Sequence, residues 1–306
     1  MKGNTTYWIL AILIVFAYNA ILDVNAIRAE LKQKLRIIVF GAHPDDCELK
    51  VGGMAAIWAA QGHQVKFVSA TNGDIGHAKM AGGPLAKRRT EEVKNAAKVL
   101  GITSEVLDIH DGELMPTLEN RKTFVRLIRE WQADVVIGHR PNDYHPDHRY
   151  TGILMQDAAY MVTVKFYCPD VPNLTKNPVF LYMSDRFQKP APFEPVIVVP
   201  IDVVFNQKMN AIWKIESQIE SLWATGNFEN IIPIPTDPVE REKRYKELYQ
   251  RQANRDGAIA DLYRNKIIEL FGEGIGKEVK FAEAFELCEY GRQPTIEELK
   301  SIFLIK

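Results

Sequence analysis

Cysteine is scarce in this chain. Cys47, Cys168 and Cys288 are its three thiols in 306 residues, too few to build a disulfide scaffold. Charge of one sign is equally lacking: 38 Lys and Arg balance 39 Asp and Glu, for a net charge of −1. No basic stretch dominates, so no nucleic-acid partner is expected. No internal repeat and no low-complexity tract is visible. What remains, 46% hydrophobic and 25% charged residues over this length, fits one large globular domain or one domain with an extension.

The start of the chain is unusual. Residues Tyr7 to Ala17 form an apolar run behind Lys2, and Val24-Asn25-Ala26 supply small residues at a cleavage point. This reads as a secretory signal peptide over residues 1–26, with the mature domain spanning 27–306 in the periplasm or outside the cell. The competing reading is an uncleaved anchor, because Ile21-Leu22 extend the run toward spanning length, and that would associate the protein with a membrane. A core helix fits less well, since the run is apolar on every face.

From Leu35 onward, strand and helix patterns alternate. Ile37-Ile38-Val39-Phe40 is a β-branched, buried-strand run that stops at Gly41-Ala42-His43-Pro44-Asp45-Asp46-Cys47-Glu48, after which Gly52-Gly53 open an Ala-rich helix. Further strands are expected at 65–70, 106–109, 135–137, 179–182 and 196–199, and helices at 86–100, 122–131, 150–161 and 203–223. This alternation predicts a Rossmann-like three-layer α/β/α fold with a mostly parallel sheet. The core covers about 36–220. A C-terminal helical extension covers about 230–306, charged over Pro238 to Phe271, with a possible return to strand over Lys280 to Leu287. Gly272-Glu273-Gly274-Ile275-Gly276-Lys277 resembles a phosphate loop but has the wrong spacing and follows a helix, so it is read as a helix-ending loop.

A strand does not need His-Pro-Asp-Asp in order to end. A second cluster, His145-Pro146-Asp147-His148, follows the buried run Val135-Val136-Ile137 about a hundred residues later. Open α/β sheets place their sites at the carboxyl ends of strands, so the two clusters can converge there, and His with carboxylate is a zinc donor set.

With both clusters in this order, each behind a strand, the chain resembles the LmbE/PIG-L family of zinc-dependent N-acetylglucosaminyl deacetylases. The Asp-Asp-x-Glu form of the first cluster is closest to the bacillithiol-pathway branch. The likeness covers about residues 36–220, with an echo at Phe281-Ala282-Glu283-Ala284-Phe285. It implies that His43, Asp46 and His148 bind Zn2+ or another divalent metal. Asp45 is then the candidate general base. The resemblance further implies that His145 stabilises an oxyanion or donates a proton, with Asp147 orienting it. Asp147 as a simple helix cap is an equally good reading of the residue alone.

Arg89 and Glu92 match the family's Arg-x-x-Glu. Arg89 either binds a substrate hydroxyl, pairs with a carboxylate in the wall of the site, or forms a surface ion pair with Glu92. Cys47 matches no ligand position and is read as a packed thiol. His63, His77, His110 and His139 match none either, and Asn142 and Asp143 read as turn formers. The implied partner is a small N-acetylated sugar or glycoside. Two alternatives share these residues: a zinc hydrolase of another N-acyl or ester substrate, and a non-catalytic sugar-binding module with a structural metal.

Overall fold

The computed structural model describes residues 34–221 and 231–305. The apolar N-terminal run and its expected cleavage point lie outside the described residues. Among the described residues no helix is long and apolar enough to cross a membrane.

Strand β1 (Arg36–Gly41) shows how the layers arise. Side chains on a strand alternate between faces, and both faces of β1 are apolar. Ile37 and Val39 pack with Val51, Trp58 and Val93 on one side of the sheet. Ile38 and Phe40 pack with Phe124, Ile128 and Leu154 on the other. A strand buried on both faces belongs in the middle of a parallel sheet, and β1 pairs in parallel with β2 (Gln64–Ser69) and β4 (Val135–Gly138). Strands β3 (Thr103–Val106) and β5 (Val179–Met183) extend the parallel set outward. Helices α1 (Asp46–Ala60) and α2 (Gly83–Leu100) cover one face, and α3 (Leu118–Glu130) and α4 (Pro146–Met161) cover the other. The Rossmann-like three-layer fold is present.

Among the described residues the sheet has seven strands in the order β3-β2-β1-β4-β5-β7-β6. Strand β6 (Ile197–Pro200) does not touch β5. Between them lies β7 (Ala282–Gly291), antiparallel to both. The C-terminal part is therefore more than a helical extension, because it supplies an interior strand of the central sheet.

Several boundaries differ from the sequence reading. Helix α1 begins at Asp46, not Gly53, so the first cluster straddles the strand-to-helix turn. Strand β3 sits three residues earlier than expected. The helix expected over 203–223 is divided into α5 (Phe205–Ile212) and α6 (Glu216–Glu220), and its last two residues lie outside the described ones. The break has a tertiary cause: the buried Glu92 carboxylate, from α2, accepts the Ser217 N–H at 2.8 Å and the Ser217 hydroxyl at 2.6 Å in the first turn of the new helix.

Further on, α7 (Pro238–Leu262) starts at the capping carboxylate of Asp237, which accepts the Val239 and Glu240 N–H groups. Helix α8 (Arg264–Phe271) follows, and the stretch read as a loop forms a short helix, α9 (Glu273–Glu278). Helix α10 (Ile296–Ile302) opens on a Thr295/Glu298 capping box. The irregular stretch after α4 is organised by one residue. Arg129, fully buried on α3, donates to the carbonyls of Met161, Val162, Val164, Tyr167, Cys168 and Val171.

Chain order reverses between β1 and β4: β2 and β3 lie to one side of β1, and β4 and β5 to the other. Such a switch point leaves a crevice at the carboxyl ends of the strands. The first cluster leaves β1 and the second leaves β4, so both open into that crevice.

Candidate metal centre

Three donor atoms converge in the crevice. His43 Nδ1 and His148 Nε2 are 3.2 Å apart, Asp46 Oδ2 lies 3.4 Å from His148 Nε2, and 3.6 Å separates it from His43 Nδ1. Donors about 2.0–2.1 Å from a tetrahedral ion such as zinc stand roughly 3.4 Å from one another, so the triangle fits such an ion. The chemistry of its surroundings fits too. Burial pulls the His43 imidazole down, but hydrogen bonds to Asp111, Asp147 and Asp46 outweigh it and hold its pKa well above the ordinary value. That balance marks a pocket with surplus negative charge, which a cation would neutralise.

Each histidine of the triangle is held from behind by carboxylate. His43 Nε2 lies 3.1 Å from Asp111 Oδ1 and 3.2 Å from Asp147 Oδ2, while His148 Nδ1 lies 3.0 Å from Asp143 Oδ1. A carboxylate on the far ring nitrogen takes its N–H and leaves the near nitrogen's lone pair for a metal. Asp46 is fixed by the chain itself, since its Oδ2 accepts the N–H groups of Ala42 at 3.0 Å and His43 at 2.9 Å. His139 Nε2 stands 3.3 Å from the same oxygen. Burial pushes the His139 pKa down to about 3, so this ring is neutral.

His139 also suggests another donor set, with Asp46 and His148. Its ring stacks on His148 with centroids 4.2 Å apart and planes 18° from parallel. Near-parallel rings point their lone pairs side by side and not at one point, so His139 acts as a neighbour of Asp46. A further set, His43, Asp111, His145 and Asp147, gathers at the opposite nitrogen of His43, where the carboxylates are already occupied with its N–H.

Asp147 departs from its expected role. Its buried carboxylate accepts the Gly112 N–H at 2.7 Å and the Leu114 N–H at 3.2 Å and reaches His43, whereas His145 Nδ1 is 3.9 Å away, beyond hydrogen-bond range. It therefore orients His43, not His145. Nor does its carboxylate cap α4. His145 is the cap, and its Nδ1 accepts the Asp147 N–H at 3.2 Å. That bond places the proton of a neutral His145 on Nε2. Burial first, then the charges of His43 and His148, lower the His145 pKa and favour this neutral form. A half-buried neutral imidazole with a free Nε2–H, edge-on to His43 at 4.5 Å, can donate to an oxygen that gains charge.

Asp45 sits beside the triangle at the N-cap position of α1. Burial raises its carboxyl above the usual range, against the nearby Arg89 guanidinium. Arg89 is itself buried. Its Nη2 donates to Asp45 Oδ2 at 3.3 Å and to the Pro44 carbonyl at 3.2 Å, and its Nη1 donates to the Gly73 carbonyl at 3.0 Å. Of the three readings of Arg89, the carboxylate pair is the one seen. Glu92 bonds Arg88 and Ser217 instead. Gly73, at φ +66°, is required twice, since a Cβ would strike the Arg89 guanidinium and strain the backbone. Cys47 is a buried thiol whose pKa burial pushes well up, packed under β1.

Some of these groups carried little signal in the sequence. Asp111 lies in a His-Asp-Gly turn, and only its placement by Asp74, whose Oδ1 accepts the Asp111 N–H at 3.1 Å, brings it to His43. Asp143 looked like a turn former. Tyr144, 72% exposed, lies edge-on to His145 and His148.

Three converging donors at the switch point of a parallel sheet, with a buried, Arg-paired carboxylate outside the triangle, place the protein among α/β proteins with a metal-binding crevice. Residues 38–159 match the family model described as PIG-L, GlcNAc-PI de-N-acetylase. Diacetylchitobiose deacetylase of Thermococcus kodakarensis is 30% identical over 199 residues, covering 61% of this chain and 72% of the relative. The chain belongs to the PIG-L family of de-N-acetylases. The 4-oxalmesaconate hydratase of Pseudomonas putida is also similar, 27% identical over 197 residues that cover 61% of this chain and 74% of the relative. Among solved structures, N,N'-diacetylchitobiose deacetylase from Pyrococcus horikoshii has the same fold. The TM-score is 0.60 at 22% identity, over 82% of this chain and 83% of that one.

One expected result follows from the groups behind the ligands. Asp143→Ala releases the His148 ring and should weaken metal binding by about 10–100-fold without unfolding the protein. Titration of the metal-free protein measures it, and an unchanged affinity would show that Asp143 does not hold His148 for the metal.

Proposed function

We propose that this protein is a zinc-dependent N-deacetylase that hydrolyses the acetamide of an N-acetylated amino sugar or glycoside. The observation that carries this reading is the position of Asp45, buried beside the donor triangle of His43, Asp46 and His148 but outside it. A module with a purely structural metal would have no use for such a group. A bound divalent ion supplies a water of lowered pKa and polarises the amide carbonyl. Asp45 takes the proton of the attacking water, and Arg89 keeps that carboxylate aimed from the wall of the site. His145 Nε2–H donates to the oxygen on which charge builds. The protonated Asp45 is then placed to return its proton to the leaving amine.

The test is acetate release from a panel holding N-acetylglucosamine, N,N'-diacetylchitobiose, N-acetylglucosaminyl glycosides, a simple ester and an unsaturated tricarboxylate. Metal-loaded protein should release acetate from acetamido sugars and lose that activity on chelation. Hydration of the tricarboxylate with no acetate released would move the protein to the chemistry of its hydratase relative.

The N-terminal apolar run supports a site of action outside the cytoplasm, periplasmic or extracellular, with the mature chain beginning near Ile27. N-terminal sequencing of protein from fractionated cells tests this. An intact Met1 on soluble cytoplasmic protein sinks it, and an intact Met1 in the membrane fraction favours the anchor.

A further inference from the structure

Two features of the sequence have no part in the metal centre: the Gly52-Gly53 pair and the motif Phe281-Ala282-Glu283-Ala284-Phe285. In the structure they meet. Glu283, buried on β7, accepts the Gly53 N–H at one carboxylate oxygen and the Met54 N–H at the other, each at 2.8 Å. These amides lie in the middle of α1, where an N–H ordinarily bonds the carbonyl four residues back. For Gly53 that carbonyl belongs to Leu49, and it accepts a side-chain N–H from Gln252 Nε2 at 3.2 Å. Side chains thus enter the helix ladder from both sides of one turn, an identifiable cause of a change in helix direction. The glycines let α1 pack closely against Ile201 and Lys208. A Cβ on Gly53 would stand 2.8 Å from Ile201 Cγ2, and one on Gly52 would stand 3.3 Å from Lys208 Cγ.

Glu283 is held in turn. Lys208 Nζ lies 2.9 Å from its carboxylate and 2.7 Å from that of Asp256, and Asp256 Oδ1 accepts from Gln252 Nε2 at 2.9 Å. Lys208, Asp256 and Glu283 are all buried. Apolar residues of similar volume would join helix to sheet at least as firmly, because taking these charges out of water offsets much of their attraction. What the carboxylate adds is direction. Its two bonds tie the Gly53–Met54 turn of α1 to β7 at a fixed angle. The two turns before that point begin at Asp46, next to Asp45 at the N-cap position.

We propose that Glu283 is a positioning residue for the deacetylase centre: by taking the Gly53 and Met54 amides it sets the direction of the first two turns of α1, and with it the placement of Asp45 and Asp46 against His43 and His148. The proposal rests on the metal-dependent reading above.

Glu283→Gln and Asp256→Asn test it as a matched pair. Each removes one negative charge and leaves Lys208 beside one buried carboxylate, so neither strands an unpaired ammonium. Glu283→Gln should weaken zinc binding to the metal-free protein about tenfold or more and lower kcat by a similar factor, with KM within about twofold. Asp256→Asn leaves both amide bonds of Glu283 in place and reaches α1 only through Gln252, so its losses in zinc affinity and kcat should be several-fold smaller than those of Glu283→Gln. Glu283→Asp keeps the charge but is too short to span both amides. It should follow the Gln variant, and it decides the matter if Glu283→Gln does not fold. Equal losses in the Glu283 and Asp256 variants, or a lowered Tm with zinc affinity and kcat unchanged, would give Glu283 a structural role only and overturn the proposal. A wild-type protein that neither binds zinc nor releases acetate defeats the functional reading and this one with it, and does so before any variant is made.

Discussion

Asp45→Asn should leave the metal bound and cut acetate release by about 10²–10⁴-fold, the usual loss when a general base is removed. Asn has the size and shape of Asp and cannot take a proton. The Asp45 carboxylate faces Arg89 at 3.3 Å, makes no capping bond to the helix it precedes, and contributes no corner of the donor triangle. Metal analysis run beside an acetate assay reads both quantities on one sample. A variant that keeps full activity would remove Asp45 from the chemistry. One that loses its metal would make Asp45 a ligand.

Its neighbour should fail differently. Asp46→Asn and His148→Ala each remove a corner of the triangle, so metal affinity should fall by more than the 10–100-fold typical of groups behind the ligands, and activity should fall with it. Asp46 adds a second loss. Its Oδ2 ties down the Ala42 and His43 amides and faces three imidazoles. Burial is outweighed by the charge of His148 and by hydrogen bonding to His139 and His43, which hold its carboxyl well below the usual range. Dialysed protein with full metal occupancy in the His148 variant would show that the ligand assignment is wrong. Metal retained in Asp46→Asn but lost in Asp45→Asn would mean that the two roles are exchanged.

The split between these neighbours was only partly legible. An extended segment points adjacent side chains opposite ways, so a turn was needed somewhere near Pro44. The structure puts it at the strand-to-helix junction, with Asp45 at the N-cap position and Asp46 as the first helical residue. Local pattern had placed the helix start at Gly53, because the Ala-rich run there is the stronger periodic signal. The polar residues before it belong to the same helix, whose ladder Glu283 enters at Gly53 and Met54.

The sequence by itself determined what strong local patterns can carry. Apolar β-branched runs specified β1 and β4, the polar clusters that follow them put His43 and Asp46 just behind β1 and His148 in the segment after β4, and alternation with helices implied the layered parallel sheet. Each of these depends on residues within a few positions of one another. Tertiary structure alone decided what depends on chain segments far apart. It seated β7 between β5 and β6, brought Arg89 to Asp45 across 44 residues, and delivered Asp111 from a plain turn to His43. It also turned Asp147 from His145, its neighbour in the motif, toward His43, 104 residues away. Hydrogen bonds and ion pairs of this kind follow from where the packed layers bring polar groups together out of water, and a single short carboxylate side chain in a sequence holds no record of which partner that will be.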